Sequence, residues 1–402
     1  MDILNDRFIL YSTAFLRALA LGMIGVLLAI YLAKIQFSPN EIGYVISIGL
    51  VGGTTAALIV TFFGDYFGRR RLLIVIALLS ALGGIIIVFA TNIIIVSIAA
   101  FIGILNGMGR DRGASLILEQ AILPSTTSDA DRTGAFAWYS ILQDIGIATG
   151  GLIASVPTLL YRVGHINLLL SFRITIIIYS SLMLVTAFLY LKLSPNVEVS
   201  IKQVKLTISK QSKKILWKIS ALFTVDSVSG GFLGAALLSF FFYERFHVSV
   251  GIIAVLFFFG RILNSLSYLG ATWLSKHIGL VNTMVFTHIP SSLILIVIAM
   301  MPSTVFWIAA LLFLLREALV EMDVPTRESY VMAVIRPEER TFASGITHLV
   351  RLGGWSVAPA FAGVLMQYIG VSTPLIIGAV MKIGYDLLLY LGFRKIKPPE
   401  ET

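Results

Sequence analysis

Long apolar stretches, broken only by short polar turns, run through almost the whole chain. A helix needs about 20 mostly apolar residues to cross a bilayer core roughly 30 Å thick. Twelve stretches are long enough, near residues 8–34, 41–63, 72–92, 94–118, 134–161, 166–192, 216–243, 249–274, 280–300, 303–326, 341–368 and 371–393, and they are called spans 1 to 12. Lipid offers no partner to a backbone amide, so each span is expected to satisfy its own hydrogen bonds as a helix. The fold class that follows is an all-α polytopic membrane protein. Composition agrees: charged residues make up 13% of the chain and mean hydropathy is +0.93. A soluble domain carries about 25% charged residues.

Most connections are short. The longest, residues 194–215, holds Lys202, Lys205, Lys210, Lys213 and Lys214 and reads as a polar linker on the membrane surface. It divides the chain into an N-terminal six-span bundle, 1–193, and a C-terminal one, 216–402. The first apolar stretch is too long for a signal peptide and is read as span 1. Basic residues collect on one side of the expected topology: Arg69, Arg70, Arg71, Arg132, the linker lysines, Lys276, Arg336, Arg340, Arg394, Lys395 and Lys397. The other side has little beyond Lys34, Arg162 and Arg245. The positive-inside rule then places both termini in the cytoplasm, with the plasma membrane as the expected location. The net charge of +9 is accounted for by these loops, so no nucleic-acid partner is expected.

The two bundles are copies of one pattern. Arg17, Gly22 and Gly25 of span 1 recur as Asp226, Gly231 and Gly234 of span 7, offset by 209 residues. Gly43 and Gly52 match Gly251 and Gly260, Arg132-Thr133 matches Arg340-Thr341, and Gly146 matches Gly354, all offset by 208. Several matches at one period mark an internal repeat. Six spans per copy give both copies the same orientation, a parallel pseudo-twofold repeat. Transporters built this way hold their substrate near the midplane.

The loop after span 2 reads Gly64-Asp65-Tyr66-Phe67-Gly68-Arg69-Arg70-Arg71. Asp65, Gly68, Arg69 and Arg70 resemble the signature loop of the major facilitator superfamily. Thr61 and Tyr66 stand where that family has a glycine and an arginine, and the second-half loop, Ser275 to Gly279, lacks the acid. The resemblance implies two six-helix bundles and alternating access. It also implies a cytoplasmic gating network of Asp65, Gly68, Arg69, Arg70, Glu119 and Arg132, with Arg340 in the second half. Span 5 carries Gly146, Gly150 and Gly151, and span 11 carries Gly354, Pro359 and Gly363. Both runs resemble the antiporter motif of drug/proton antiporters, and the same residues would also serve as close helix packing.

Charges within spans are costly and point to function. The resemblance implies that spans 1, 4, 7 and 10 line the cavity. They carry Arg17; Arg110, Asp111 and Arg112; Asp226; and Arg316, Glu317, Glu321 and Asp323. Arg17 and Asp226 read either as a pair across the cavity or as ion pairs within each half. Glu317 and Glu321 share one helical face, so one is expected to hold a proton unless Arg316 or another cation neutralises them. Arg110 and Arg112 are candidate contacts for an anionic substrate. Asp144 and Arg261 fall near mid-membrane as a candidate pair. Lys382 and Asp386 read as a local pair on span 12, His288 and His348 as satisfied core histidines, and Phe240, Phe241, Phe242 and Tyr243 as lipid-facing or interfacial.

There is no cysteine, nucleotide-binding glycine loop or metal-ligand spacing, so no cofactor or metal and no enzyme activity are expected. The functional expectation is a monomeric secondary transporter exporting a small organic solute against protons. Proton-coupled uptake of a small organic anion is the alternative, and a non-transporting membrane sensor or scaffold is the alternative of another class. Substrate, direction and coupling ion are open in the sequence.

Overall fold

The computed structural model describes residues 2–111, 113–127, 132–198, 210–324, 326–327 and 340–393. Among them, eleven helices are long and apolar enough to cross a membrane. The twelfth crossing, span 4, is two short helices, Ile93–Ile102 and Ala114–Ile122. This corrects the continuous helix expected over 94–118. Gly103, Gly107, Gly109 and Gly113 weaken the helix here, by about 1 kcal/mol each relative to alanine. Asn106 then captures the freed backbone: its Oδ1 accepts from the Met108 amide at 2.8 Å and its Nδ2 donates to the Arg110 carbonyl at 2.6 Å.

Span 7 is interrupted as well, as Lys210–Phe232 and Ala235–Phe246 with Gly234 between them. The two interruptions meet, because the Ala236 amide donates to the Gly107 carbonyl at 2.9 Å. Gly109 lies at φ 68°, and a Cβ there would come within 2.8 Å of the Ala235 Cβ. Non-helical backbone at membrane depth persists only where protein or a wet cavity covers it. Span 5 divides into Arg132–Ile153 and Val156–Arg162. The span 10 helix, Phe306–Val320, gives way to a turn at Glu321 and Met322, and residues 323–324 and 326–327 are helical again.

Span 2 runs Pro39–Phe67 and span 3 runs Arg69–Phe89. Ser38 and Glu41 form a capping box ahead of span 2, with Pro39 at its first turn. A single residue, Gly68 at φ 91°, turns the chain into span 3. This conformation disfavours any side chain and explains the glycine of the signature loop.

The helices gather into two compact units. The first holds Met1–Gln203 with Gly234–Phe258 and Pro359–Gln367; the second holds Val204–Leu233, Phe259–Ala358 and Tyr368–Thr402. In the first unit, span 1 is nearly enclosed, with Leu10, Ala14, Ala18, Leu27, Leu28 and Ile30 all at 0% exposure. Phe240, Phe241 and Phe242 also belong to this unit and are buried, which corrects their expected lipid-facing placement. Phe241 and Phe242 pack edge-on, and Phe242 stacks on Phe246.

Candidate functional site

Among the described residues, each unit contains a cluster of buried charges built around one hub. In the first, Arg17 of span 1 is the hub. Its Nε donates to Asp111 Oδ2 at 2.6 Å and its Nη2 to Glu119 Oε2 at 2.7 Å. Its Nη1 donates to the Tyr190 hydroxyl at 2.8 Å. Asp111 lies in the interruption of span 4, and Gln143 Nε2 donates to the same Oδ2 at 3.1 Å. Glu119 is fully enclosed. Besides Arg17, it accepts from Thr13 at 2.6 Å and Tyr190 at 2.6 Å on Oε1, and from Tyr139 at 2.6 Å on Oε2. Four donors thus converge on one carboxylate. Charge-assisted bonds of this kind are roughly twice as strong as neutral ones.

In the second unit, Asp226 of span 7 is the hub. Lys382 Nζ donates to Oδ1 at 2.8 Å, while Arg327 and Arg351 approach Oδ2 at 3.5 and 3.8 Å. Arg327 also pairs with Asp323. The two guanidinium groups lie 5.6 and 5.9 Å from the ring of Phe223, and Arg351 lies 4.9 Å from that of Trp355. His288 of span 9 completes the cluster. Its Nδ1 meets Asp386 Oδ1 at 3.1 Å, and its Nε2 meets the Val320 carbonyl at 3.2 Å and Asp323 Oδ1 at 3.5 Å. Lys382 and Asp386, expected as a pair of their own, have Asp226 and His288 as partners.

Arg17 and Asp226 therefore each find counter-charges within their own unit. The two clusters are related by the repeat. Glu119 and Arg327 stand 208 residues apart, as do Gln143 and Arg351. The ion pair of spans 1 and 4 thus recurs between span 7 and the end of span 10 with its polarity reversed. The period was readable for these pairs, and only charge identity hid the match.

Of the other span 10 acids, Glu317 pairs with Arg316 and accepts from Asn264 Nδ2 at 2.8 Å. Glu321 is buried just past the helix end. Arg110 lies in the span 4 interruption. Arg112 is outside the described residues, as are the side chains of Arg132 and Arg340.

The expected gating residues fall in two places. Arg69 Nε pairs with Asp65 at 2.7 Å, its Nη1 donates to the Ala121 carbonyl at 3.0 Å, and Arg70 donates to the Leu191 carbonyl. Glu119 joins the Arg17 cluster instead of this loop. The acid that meets the loop is Glu198, which nothing in the sequence singles out. It accepts from the Arg69 and Arg70 amides at 2.7 and 3.2 Å, at the N-terminus of span 3. The small-residue runs pack helices closely: Gly146 and Gly150 lie against the main chain of span 1, Gly354 against Ser227, and Gly363 against Pro39 and Gly43. Pro359 lies inside the span 11 helix beside Gly43, and Gly151 faces open space.

Residues 10–320 match the family model of the Major Facilitator Superfamily. The uncharacterized membrane protein YJR124C of Saccharomyces cerevisiae is 23% identical over 423 residues, covering 97% of this chain and 94% of its own. The crystal structure of the nucleoside transporter NupG superposes with a TM-score of 0.76 at 16% identity, covering 98% of this chain and 100% of that one. A bacterial homologue of the human lysosomal transporter Spinster, inward-facing and occupied, superposes with a TM-score of 0.69 at 15% identity, covering 96% of each.

Proposed function

This chain belongs to the Major Facilitator Superfamily, as a multi-pass membrane transporter of a small molecule, and we propose that it exports a small organic solute in exchange for protons. Alternating access between two six-span bundles, 1–193 and 216–402, is the proposed frame. Both termini and the linker face the cytoplasm, and the protein acts as a monomer in the plasma membrane.

The observation that carries the reading is the Arg17 cluster. One guanidinium faces two carboxylates, Asp111 and Glu119, inside the membrane. Two carboxylates on one guanidinium make a place where a proton or a cationic solute adds the second positive charge. Glu119 is fully engaged, whereas Asp111 accepts from Arg17 and Gln143 on Oδ2 and lies at the interrupted part of span 4. Asp111 is therefore the proposed point where proton and solute alternate, with Arg110, Arg112, Arg316, Glu317 and Glu321 as further contacts. Interrupted membrane helices are where carriers of other folds bind substrates and ions.

Export follows the resemblance of span 5 to antiporters, supported by the packing of Gly146 and Gly150 on span 1. Uptake of an organic anion would use Arg17 and Arg110 as substrate contacts, and the Arg17 guanidinium is already held by two carboxylates and two phenols. A scaffold leaves these intramembrane charges without the functional role that is their default reading.

The test starts from detergent-purified protein and a panel of organic cations, anions, zwitterions and nucleosides. A ligand that binds only the folded state raises thermal stability. Stabilising compounds are then followed in proteoliposomes under an imposed pH gradient. The expected result is solute movement opposite to protons, lost in Asp111→Asn. Movement together with protons would establish uptake, and flux indifferent to the gradient would overturn proton coupling.

A further inference from the structure

His288 lies on span 9 and Asp386 on span 12, both essentially without solvent contact at 1% and 0% exposure. Each ring nitrogen of His288 faces oxygen. Nε2 meets the Val320 carbonyl, which can only accept, so this nitrogen carries a hydrogen. Nδ1 then faces Asp386 Oδ1 at 3.1 Å. A neutral ring with hydrogen on Nε2 offers a lone pair at Nδ1, and an ionised carboxylate offers another. Two lone pairs at this distance repel. A hydrogen bond here requires one more proton, either on Nδ1 facing a carboxylate or on Asp386 facing a bare Nδ1.

We propose that His288 and Asp386 form a buried proton-binding site that holds one proton between them. Asp386 Oδ2 and the neighbouring Tyr385 hydroxyl have no hydrogen-bond partner among the described residues, so the site is under-filled where a structural carboxylate would be saturated. The groups around it are Asp226 of span 7, Asp323 and Arg327 at the end of span 10, Arg351 of span 11, and Lys382 of span 12. Lys382 and Asp386 are four residues apart, one helical turn. When the proton leaves, the Asp386 carboxylate attracts the Lys382 ammonium, which at present binds Asp226 at 2.8 Å. Proton release at Asp386 thus loosens the hub of the second cluster. No equivalent exists in the first half: 208 residues earlier stand Ser80 and Ile178. Use of this proton in transport rests on the exchange mechanism proposed above; its binding does not.

The chain has five histidines, which makes ¹⁵N-histidine NMR of the intact protein in lipid nanodiscs tractable. The probe is the proton alone, in a titration over about pH 5 to 8. His288→Gln identifies the signal. Expected are hydrogen on Nε2 throughout and a single protonation step at the His288–Asp386 pair. Asp386→Asn abolishes the step, because its amide donates permanently to Nδ1. Lys382→Met removes the competing cation and moves the step up by about one pH unit or more. A bare Nε2, or a step that neither substitution alters, would overturn the proposal. Should Asp386→Asn fail to fold, Nε2 and the Lys382→Met titration decide. The measurement reads binding and not flux, so it can fail while proton-coupled export stands, and the reverse.

Discussion

Glu119 and Asp386 are both fully enclosed carboxylates, and they are held in opposite ways. Glu119 takes four hydrogen bonds, from Thr13, Arg17, Tyr139 and Tyr190, with both oxygens occupied. Asp386 has His288 on one oxygen and, among the described residues, no hydrogen-bond partner on the other. A carboxylate crowded by donors resists change, because adding a proton forfeits a strong bond. A carboxylate with a vacant lone pair can gain or lose a proton at small structural cost. Around Glu119 the first unit therefore uses buried charge to fasten spans 1, 4, 5 and 6 together, which leaves Asp111 as its exchangeable carboxylate. The second keeps charge in a form that can be rearranged.

The comparison is broken most forcefully at the hubs. Arg17→Met leaves Asp111 and Glu119 buried without their cation. Removing one partner of a buried ion pair costs about 3–5 kcal/mol. Lys382→Met leaves Asp226 with Arg327 and Arg351, so its loss is expected nearer about 1–3 kcal/mol. Denaturant or thermal unfolding in detergent should rank the two in that order. Equal losses would mean that the first cluster is no stiffer than the second.

A pair of hydroxyl deletions sharpens the same contrast. Tyr190 donates to Glu119 at 2.6 Å and accepts from Arg17 at 2.8 Å. Tyr190→Phe should cost about 1.5–3 kcal/mol, the range for hydrogen bonds to charged groups. The Tyr385 hydroxyl is buried with no hydrogen-bond partner among the described residues. Tyr385→Phe removes an unsatisfied polar group and should leave stability unchanged or higher. The same unfolding measurement checks both.

These contrasts explain what a linear sequence can disclose. The spans were legible because crossing lipid sets a strict condition on length and apolarity, which local composition reports. The interruption of span 4 was missed although four glycines and three consecutive charges at 110–112 announced it, since a hydropathy reading counts apolar residues and ignores backbone freedom. Arg327 could have been matched to Glu119 by the 208-residue period, had opposite charges been compared. Glu198 lies at the edge of the linker, where an acid looks like ordinary solvated charge, and only the fold brings it to the amides of Arg69 and Arg70. His288 and Asp386 could not be paired in advance. They are 98 residues apart on different spans, and neither has a polar-charged counterpart in the other half that would single it out.

The most informative contrast sets one substitution at the two enclosed carboxylates. Asp386→Asn and Glu119→Gln are chemically the same substitution, an amide for a buried carboxylate. At Glu119 the new NH₂ must face two of the four donors already in place, so hydrogen bonds become collisions. A loss of about 1.5–3 kcal/mol is expected. At Asp386 the amide nitrogen can donate to His288 Nδ1, and the remaining polar atom occupies the side that has no partner among the described residues. Its expected cost is under about 1 kcal/mol. The asparagine also holds the pair permanently in its proton-loaded geometry, with the Lys382 ammonium left on Asp226. A protein of near-normal stability, unable to respond to pH at His288, is the predicted outcome. If Asp386→Asn destabilised as much as Glu119→Gln, Asp386 would be a strut like Glu119, and the division between a fastened cluster and a rearrangeable one would fall.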